Sequence, residues 1–164
     1  MADSSTVAFM KLLNVNNKTE LTETDISIGN PETFDDPEVS RMNTAVTVTG
    51  LQEADRSGEV IVYYNRVNIG DLTVSGSLEM VWDEDEEPTF GSLLGRVNQT
   101  FQTNILIDDI VDGPIEGAVD GKVDVDLIVA DNSLAWFGAL TLKLRPQTLH
   151  LRDVVSNTVL GELA

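Results

Sequence analysis

Apolar residues recur at three- and four-residue spacing near the start of the chain, where Val7, Phe9, Met10 and Leu13 fall on one helical face. The spacing predicts a short helix over residues 6–13, capped by Ser4, Ser5 or Thr6, whose side chains can accept from the free backbone amides. Asn14 to Lys18 is a polar exit, and asparagine tolerates the left-handed conformation that ends a helix. Leu21 to Gly29 then leads into an extended segment, and Asn30 to Pro37 reads as a loop from its prolines and acids. From Ala45 the period changes to two. Ala45 to Thr49 and Val60 to Tyr64 are rich in β-branched and aromatic residues and predict a hairpin across the charged turn ending at Gly58. Val67, Ile69 and Leu72 continue as extended chain, and Leu78, Met80 and Trp82 alternate with Glu79 and Val81.

The run Asp83-Glu84-Asp85-Glu86-Glu87 followed by Pro88 is the clearest punctuation, because like charges repel and proline breaks regular structure. Thr89 is then a candidate N-cap for a second helix that carries Leu93, Leu94, Val97 and Phe101 inward and Arg96 outward. Val123, Val125, Leu127 and Val129 alternate with Asp124, Asp126 and Ile128, which predicts a strand with one dry face. Leu140, Leu142 and Leu144 form the next strand, stopped by Pro146. Leu149, Leu151 and residues 155–160 read as short extended pieces.

The two halves follow one order. Residues 19–26 align with residues 103–110 at an offset of 84, which also carries Phe9, Met10, Leu13 and Asn14 onto Leu93, Leu94, Val97 and Asn98. At an offset of 80, Gly58, Val60, Val62, Tyr64 and Ile69 fall on Gly138, Leu140, Leu142, Leu144 and Leu149. The expected fold is α+β, mainly antiparallel β with two short helices. The expected organisation is a tandem duplication: a first helix-plus-strands module over residues 1–84 and a second, diverged one over residues 85–164.

Composition narrows the function by exclusion. The chain has 164 residues, of which 41% are hydrophobic, so it can build a packed core. It carries 28 acidic and 10 basic residues, a formal charge of −18, which opposes direct binding to nucleic acid phosphates. The acids are shared between the halves, so they do not form a tail. With no cysteine and one histidine, His150, disulfides, thiolate chemistry and nearly every zinc site are excluded. No basic and apolar leader opens the chain, and no apolar run is long enough to span a bilayer, so a membrane location is not expected.

No catalytic constellation emerges. A serine triad would have to use His150, without the Gly-x-Ser-x-Gly elbow that usually delivers the serine. A carboxylate pair for glycoside hydrolysis is weakened by the 5% aromatic content, since sugars are held on aromatic platforms. The hard-oxygen clusters Asp108, Asp109 and Asp112, or Asp120, Asp124 and Asp126, are weak calcium candidates, because neither follows the EF-hand spacing. No cofactor is expected. The scarce aromatics Trp136, Phe137, Trp82 and Tyr64 are interface candidates, set against an ordinary place in the core.

Residues 9–14, residues 17–31, residues 43–48 and the stretch from Gly58 to Arg66 resemble short domains repeated in virion structural proteins of large tailed bacteriophages. The resemblance covers residues 5–72 well and residues 89–152 in pattern only, since Tyr64, Asn65 and Arg66 give way to Leu144, Arg145 and Pro146. It implies a non-enzymatic particle component of the head, neck, tail or baseplate, made in the host cytoplasm without a signal peptide. Its partners would be its own copies and other virion proteins, engaged through strand edges, the aromatics above and the 83–87 loop. Rival expectations are an acidic inhibitor that mimics nucleic acid and a calcium-dependent surface adhesin.

Overall fold

A computed structural model describes residues 4–54, 56–82, 87–118 and 122–146. The fold is α+β, with two helices and mostly antiparallel strands. Helix α1 spans Ser5–Asn17, with Ser4 Oγ accepting from the Val7 amide at 3.2 Å. Strands β1 (Ile26–Ile28) and β2 (Glu32–Thr33) follow, then β3 (Thr44–Gly50) and β4 (Glu59–Tyr64). β1 and β2 lie one after the other along one edge of β3, and β4 lies along the other edge, each antiparallel to β3. Phe9, Met10 and Leu13 of α1 pack on Ile26, Val46, Val48 and Tyr64 to make the first core. Each such aliphatic side chain taken out of water contributes on the order of 1.5–3 kcal/mol.

Beyond β4 the chain departs from the simple extended course that its alternation suggests. Only β5 (Val67–Asn68) is strand, and Ile69–Leu72 turns as a 3₁₀ helix because the Asn68 carboxamide oxygen accepts from the Gly70 amide at 3.0 Å. The turn drives Ile69 fully into the second core. Strand β6 (Ser77–Trp82) precedes helix α2 (Phe90–Phe101), where Thr89 and Ser92 cap each other reciprocally. Strands β7 (Val123–Ile128), β8 (Trp136–Phe137) and β9 (Ala139–Pro146) complete the described chain. β9 is central in its sheet, antiparallel to β7 on one side and parallel to β6 on the other. Although β6 lies on the N-terminal side of the acidic run, its Met80 and Trp82 belong to the second core, with Leu93, Leu94, Val97, Leu140 and Leu142.

Several local hydrogen bonds recur at matching positions of the two units. Lys18 and Gln102 both end their helices in the left-handed conformation, each with φ of 55°. Asn14 donates to the Leu21 carbonyl at 2.8 Å and accepts from the Leu21 amide at 2.8 Å; Asn98 does both with Ile105 at 2.9 Å. Asp25 accepts from the Thr22 amide as Asp109 does from the Leu106 amide. The hairpin registers agree as well: Val46 faces Val62 and Val48 faces Val60, while Val125 faces Leu142 and Leu127 faces Leu140. Gly58 and Gly138 both enter their strands with positive φ, at 92° and 84°.

Among the described residues no helix is long and apolar enough to cross a membrane. His150, Asp120, residues 83–86 and the extended pieces expected after residue 147 lie outside the described residues.

Candidate functional site

The sheet that carries β9 is paired on both sides of that strand, whereas β4, its counterpart, is paired only with β3 among the described residues. The difference is visible in the side chains. Leu140 is 0% exposed, but Val60 at the matching position of β4 is 56% exposed, and Ile61 beside it is also exposed. Between the open edge of β4 and α1 lies a groove of about 440 Å³, with Leu13, Leu21, Ile26, Val48, Val60 and Val62 among its lining. At the matching positions of the second unit Val97, Ile105, Leu127, Leu140 and Leu142 are buried, in one core with Ile69 of the 3₁₀ turn and with Met80 and Trp82 of β6. An open strand edge beside an apolar groove can take up an extended chain: the backbone supplies hydrogen bonds and the groove receives alternate side chains.

The contact between the two units runs from one face of the first to a different face of the second. Arg66 is buried, its Nε donating to Thr44 Oγ1 at 3.1 Å and its Nη1 to the carbonyls of Ser133 at 3.1 Å and Trp136 at 3.4 Å. Its guanidinium also lies over the Phe137 ring, 5.3 Å from the centroid. Burial lowers its pKa below the usual arginine value. Asn43 fixes the Arg66 backbone, donating to the Arg66 carbonyl and accepting from its amide, both at 2.8 Å. Alongside, β5 pairs in parallel with β8, Val67 opposite Trp136 and Asn68 opposite Phe137, and Leu134 enters the first core.

The aromatic candidates divide between core and junction. Trp82 and Tyr64 are buried core residues, so neither presents a free surface. Arg96 stacks over Trp82 with its guanidinium carbon 4.9 Å from the ring centroid. Tyr64 meets Phe9 edge-on at 5.0 Å. Trp136 and Phe137 are half-buried at the junction between units. Arg66, Val60 and Ile61 were not among the expected contacts; the available signal for Arg66 was its place in the Tyr-Asn-Arg stretch of an otherwise acidic chain.

Burial pushes the Tyr64 phenol up to about 12. A phenol raised on folding binds its proton more tightly in the native chain, so its contribution is complete below pH 10 and is lost as pH rises from 10 to 12. Its hydroxyl has no hydrogen-bond partner among the described residues. Tyr64→Phe is therefore expected to leave stability at pH 7 equal or slightly higher and to flatten the alkaline loss, read as denaturant midpoints at pH 8, 10 and 11. An unchanged alkaline slope would remove Tyr64 from the account.

The acidic candidates are engaged separately. Asp109 is buried and accepts from the Ser133 hydroxyl at 2.8 Å. Asp112 accepts from the Gly91 and Gly113 amides at 2.8 and 2.9 Å, and Asp108 sits at the rim of a polar hollow with Glu23, Ser5 and Asn132. Asp124 pairs with Arg145 at 2.6 Å, and the hydrogen bond and charge of Arg145 hold its carboxyl below the usual range. Asp126 accepts from Thr141 at 2.7 Å. Glu87, the described end of the acidic run, accepts from the Gly117 and Ala118 amides at 3.0 Å each. Among the described residues no three histidine or acidic side chains are grouped so as to hold a metal ion.

The chain matches the model of a family described as a family of unknown function (DUF7941), over residues 1–164. No curated protein and no solved structure matches it.

Proposed function

We propose, from the premise that the chain belongs to the DUF7941 family, that it is a non-enzymatic structural component of a tailed-phage virion, built by tandem duplication of one module. It works through contacts with its own copies and with other particle proteins. The observation that carries this reading is the open β4 edge and its apolar groove, at the position where the second unit has a strand in place. The shared hydrogen bonds and hairpin registers support the duplication, and the non-reciprocal junction supports growth by repetition of one contact. The resemblance of residues 5–72 to repeated virion domains supplies the setting.

The acidic surface has a consequence for assembly. With a formal charge of −18, copies repel at low ionic strength and associate more readily when salt shortens the Debye length to about 10 Å or less. Mass-resolved size-exclusion chromatography should give a discrete multimer that gains population between roughly 0.02 and 0.5 M salt. A monomer across the whole range would overturn self-assembly.

A further inference from the structure

The second unit contains a worked example of what the groove in the first would hold. β6 belongs in chain order to the segment after the first hairpin, yet it completes the sheet of the unit that follows it. It lies parallel to β9, Ser77 opposite Thr141, Leu78 opposite Leu142 and Met80 opposite Leu144. Leu78 faces Leu142, the counterpart of the half-buried Val62, and Ser77 faces Thr141, the counterpart of the exposed Ile61, while Met80 and Trp82 join the second core. β6 leaves one unit to finish the next, and β4 is the matching edge that has no such strand among the described residues.

The sequence after β9 carries a segment patterned like the donor. Val74-Ser75-Gly76-Ser77-Leu78, which leads into β6, matches Val155-Ser156-Asn157-Thr158-Val159 at an offset of 81. Gly76 has a positive φ of 65°, and its counterpart Asn157 is of the residue type that, after glycine, most readily adopts that conformation. At the same offset the sequence of β6 corresponds to residues 158–163, with Val159 and Leu163 in place of Leu78 and Trp82 and Gly161 in place of Met80.

The junction decides between a second copy and the chain's own end. Arg66 and β5 of the first unit meet Ser133, Trp136 and Phe137 of the second. The first unit's counterparts of that receiving face include Glu53, Arg56 and Ser57, and these are exposed. Two units closed on each other by a two-fold would use both faces twice. One face used and one left open is a head-to-tail contact, which continues into another molecule.

We propose that the open edge of β4 accepts a second copy of this chain, which adds its Thr158–Leu163 segment as a parallel strand and links copies head to tail. The proposal rests on the assembly reading above and names its contact. Transferring the β6–β9 register places Thr158 opposite Ile61, Val159 opposite Val62 and Gly161 opposite Tyr64.

The chain has no cysteine, so a disulfide can report this register without background. Adjacent positions on neighbouring strands lie within the Cα separation a disulfide spans, about 4.4–6.8 Å. The full-length double variant Ile61→Cys/Thr158→Cys, folded as judged by circular dichroism and oxidised with copper–phenanthroline, is expected to give a ladder of covalent multimers on a non-reducing gel. The off-register pair Ile61→Cys/Asp153→Cys should give at least tenfold less. Val159→Asp, with no cysteine introduced, should lower the multimer fraction in chromatography at least tenfold. An internal disulfide in a monomer would assign the slot to the chain's own end and overturn the second copy. Equal linking by both pairs would overturn the register. No linking from a protein that still elutes as a multimer would overturn this contact and leave the assembly reading standing; no linking from a monomer would overturn both.

Discussion

Leu140→Ala is expected to cost about 3–4 kcal/mol of folding stability, while Val60→Ala, at the matching place in the first unit, should cost less than about 1 kcal/mol at dilute protein concentration. Leu140 is 0% exposed because β6 and β7 flank its strand and Met80 and Trp82 share its core, so truncation leaves a cavity in a fixed surround. Val60 is 56% exposed on a strand with one open side, so truncation mostly trades one hydrated surface for another. The residual effect is the loss of a β-branched side chain from a strand. Urea titrations of both variants, at concentrations where the wild type is monomeric, decide the matter. Comparable losses would mean that the β4 edge is already covered in the monomer. A Val60 loss that grows with protein concentration would show that association buries it.

Arg66→Met should cost about 3 kcal/mol and divide one unfolding transition into two. The guanidinium satisfies Thr44 Oγ1 and two carbonyls of the opposite unit at once, and methionine restores the volume but none of the donors. Hydrogen bonds to a charged group are worth about 1.5–3 kcal/mol, and the acceptors left behind stay buried without a partner. Arg66→Lys should recover less than half, since an ammonium lacks the planar fork that spans these acceptors. The chain carries its own probes for the split: both tyrosines, Tyr63 and Tyr64, lie in the first unit, and both tryptophans, Trp82 and Trp136, lie with the second. Tyrosine absorbance and tryptophan fluorescence should give coincident melts in the wild type and separate melts in Arg66→Met. Coincident melts in the variant would show that β5–β8 pairing and Leu134 suffice to couple the units.

Both helices, the first hairpin and the alternation of the two strands now seen as β7 and β9 were legible because each depends on short-range pattern. The offset of 84 that matched Asn14 to Asn98 placed two side chains that make the same pair of backbone bonds. The side of Leu78, Met80 and Trp82 was also readable, but their partner was not. Alternation fixes which face of a strand is dry and says nothing about which strand lies beside it, so a parallel partner far along the chain leaves no local mark. Ile69 was misplaced as extended for a related reason: a single carboxamide, Asn68, overrides the apolar alternation around it. The open edge was invisible for a stronger reason. Val60 and Leu140 sit in equivalent patterns, and only the presence or absence of a neighbouring strand makes one wet and the other dry.

The parallel pairing of β6 with β9 also imposes an order on folding. The first hairpin joins strands adjacent in the chain, and its pairing needs no residue beyond Tyr64. β6 is synthesised next, but β9 follows only after α2 and β7, so Leu78, Met80 and Trp82 wait with an unpaired backbone. During that wait the nearest vacant edge is β4, which matches the strand they are meant to join. Capture there would be local, fast and wrong, a kinetic trap made from the likeness of the two strand edges. The short segment between Tyr64 and Ser77, turned by Asn68 and Ile69, leaves little slack for β6 to double back alongside β4 in parallel. On this account the 3₁₀ turn acts as a proofreading element, setting the direction in which the next strand leaves before its correct partner exists.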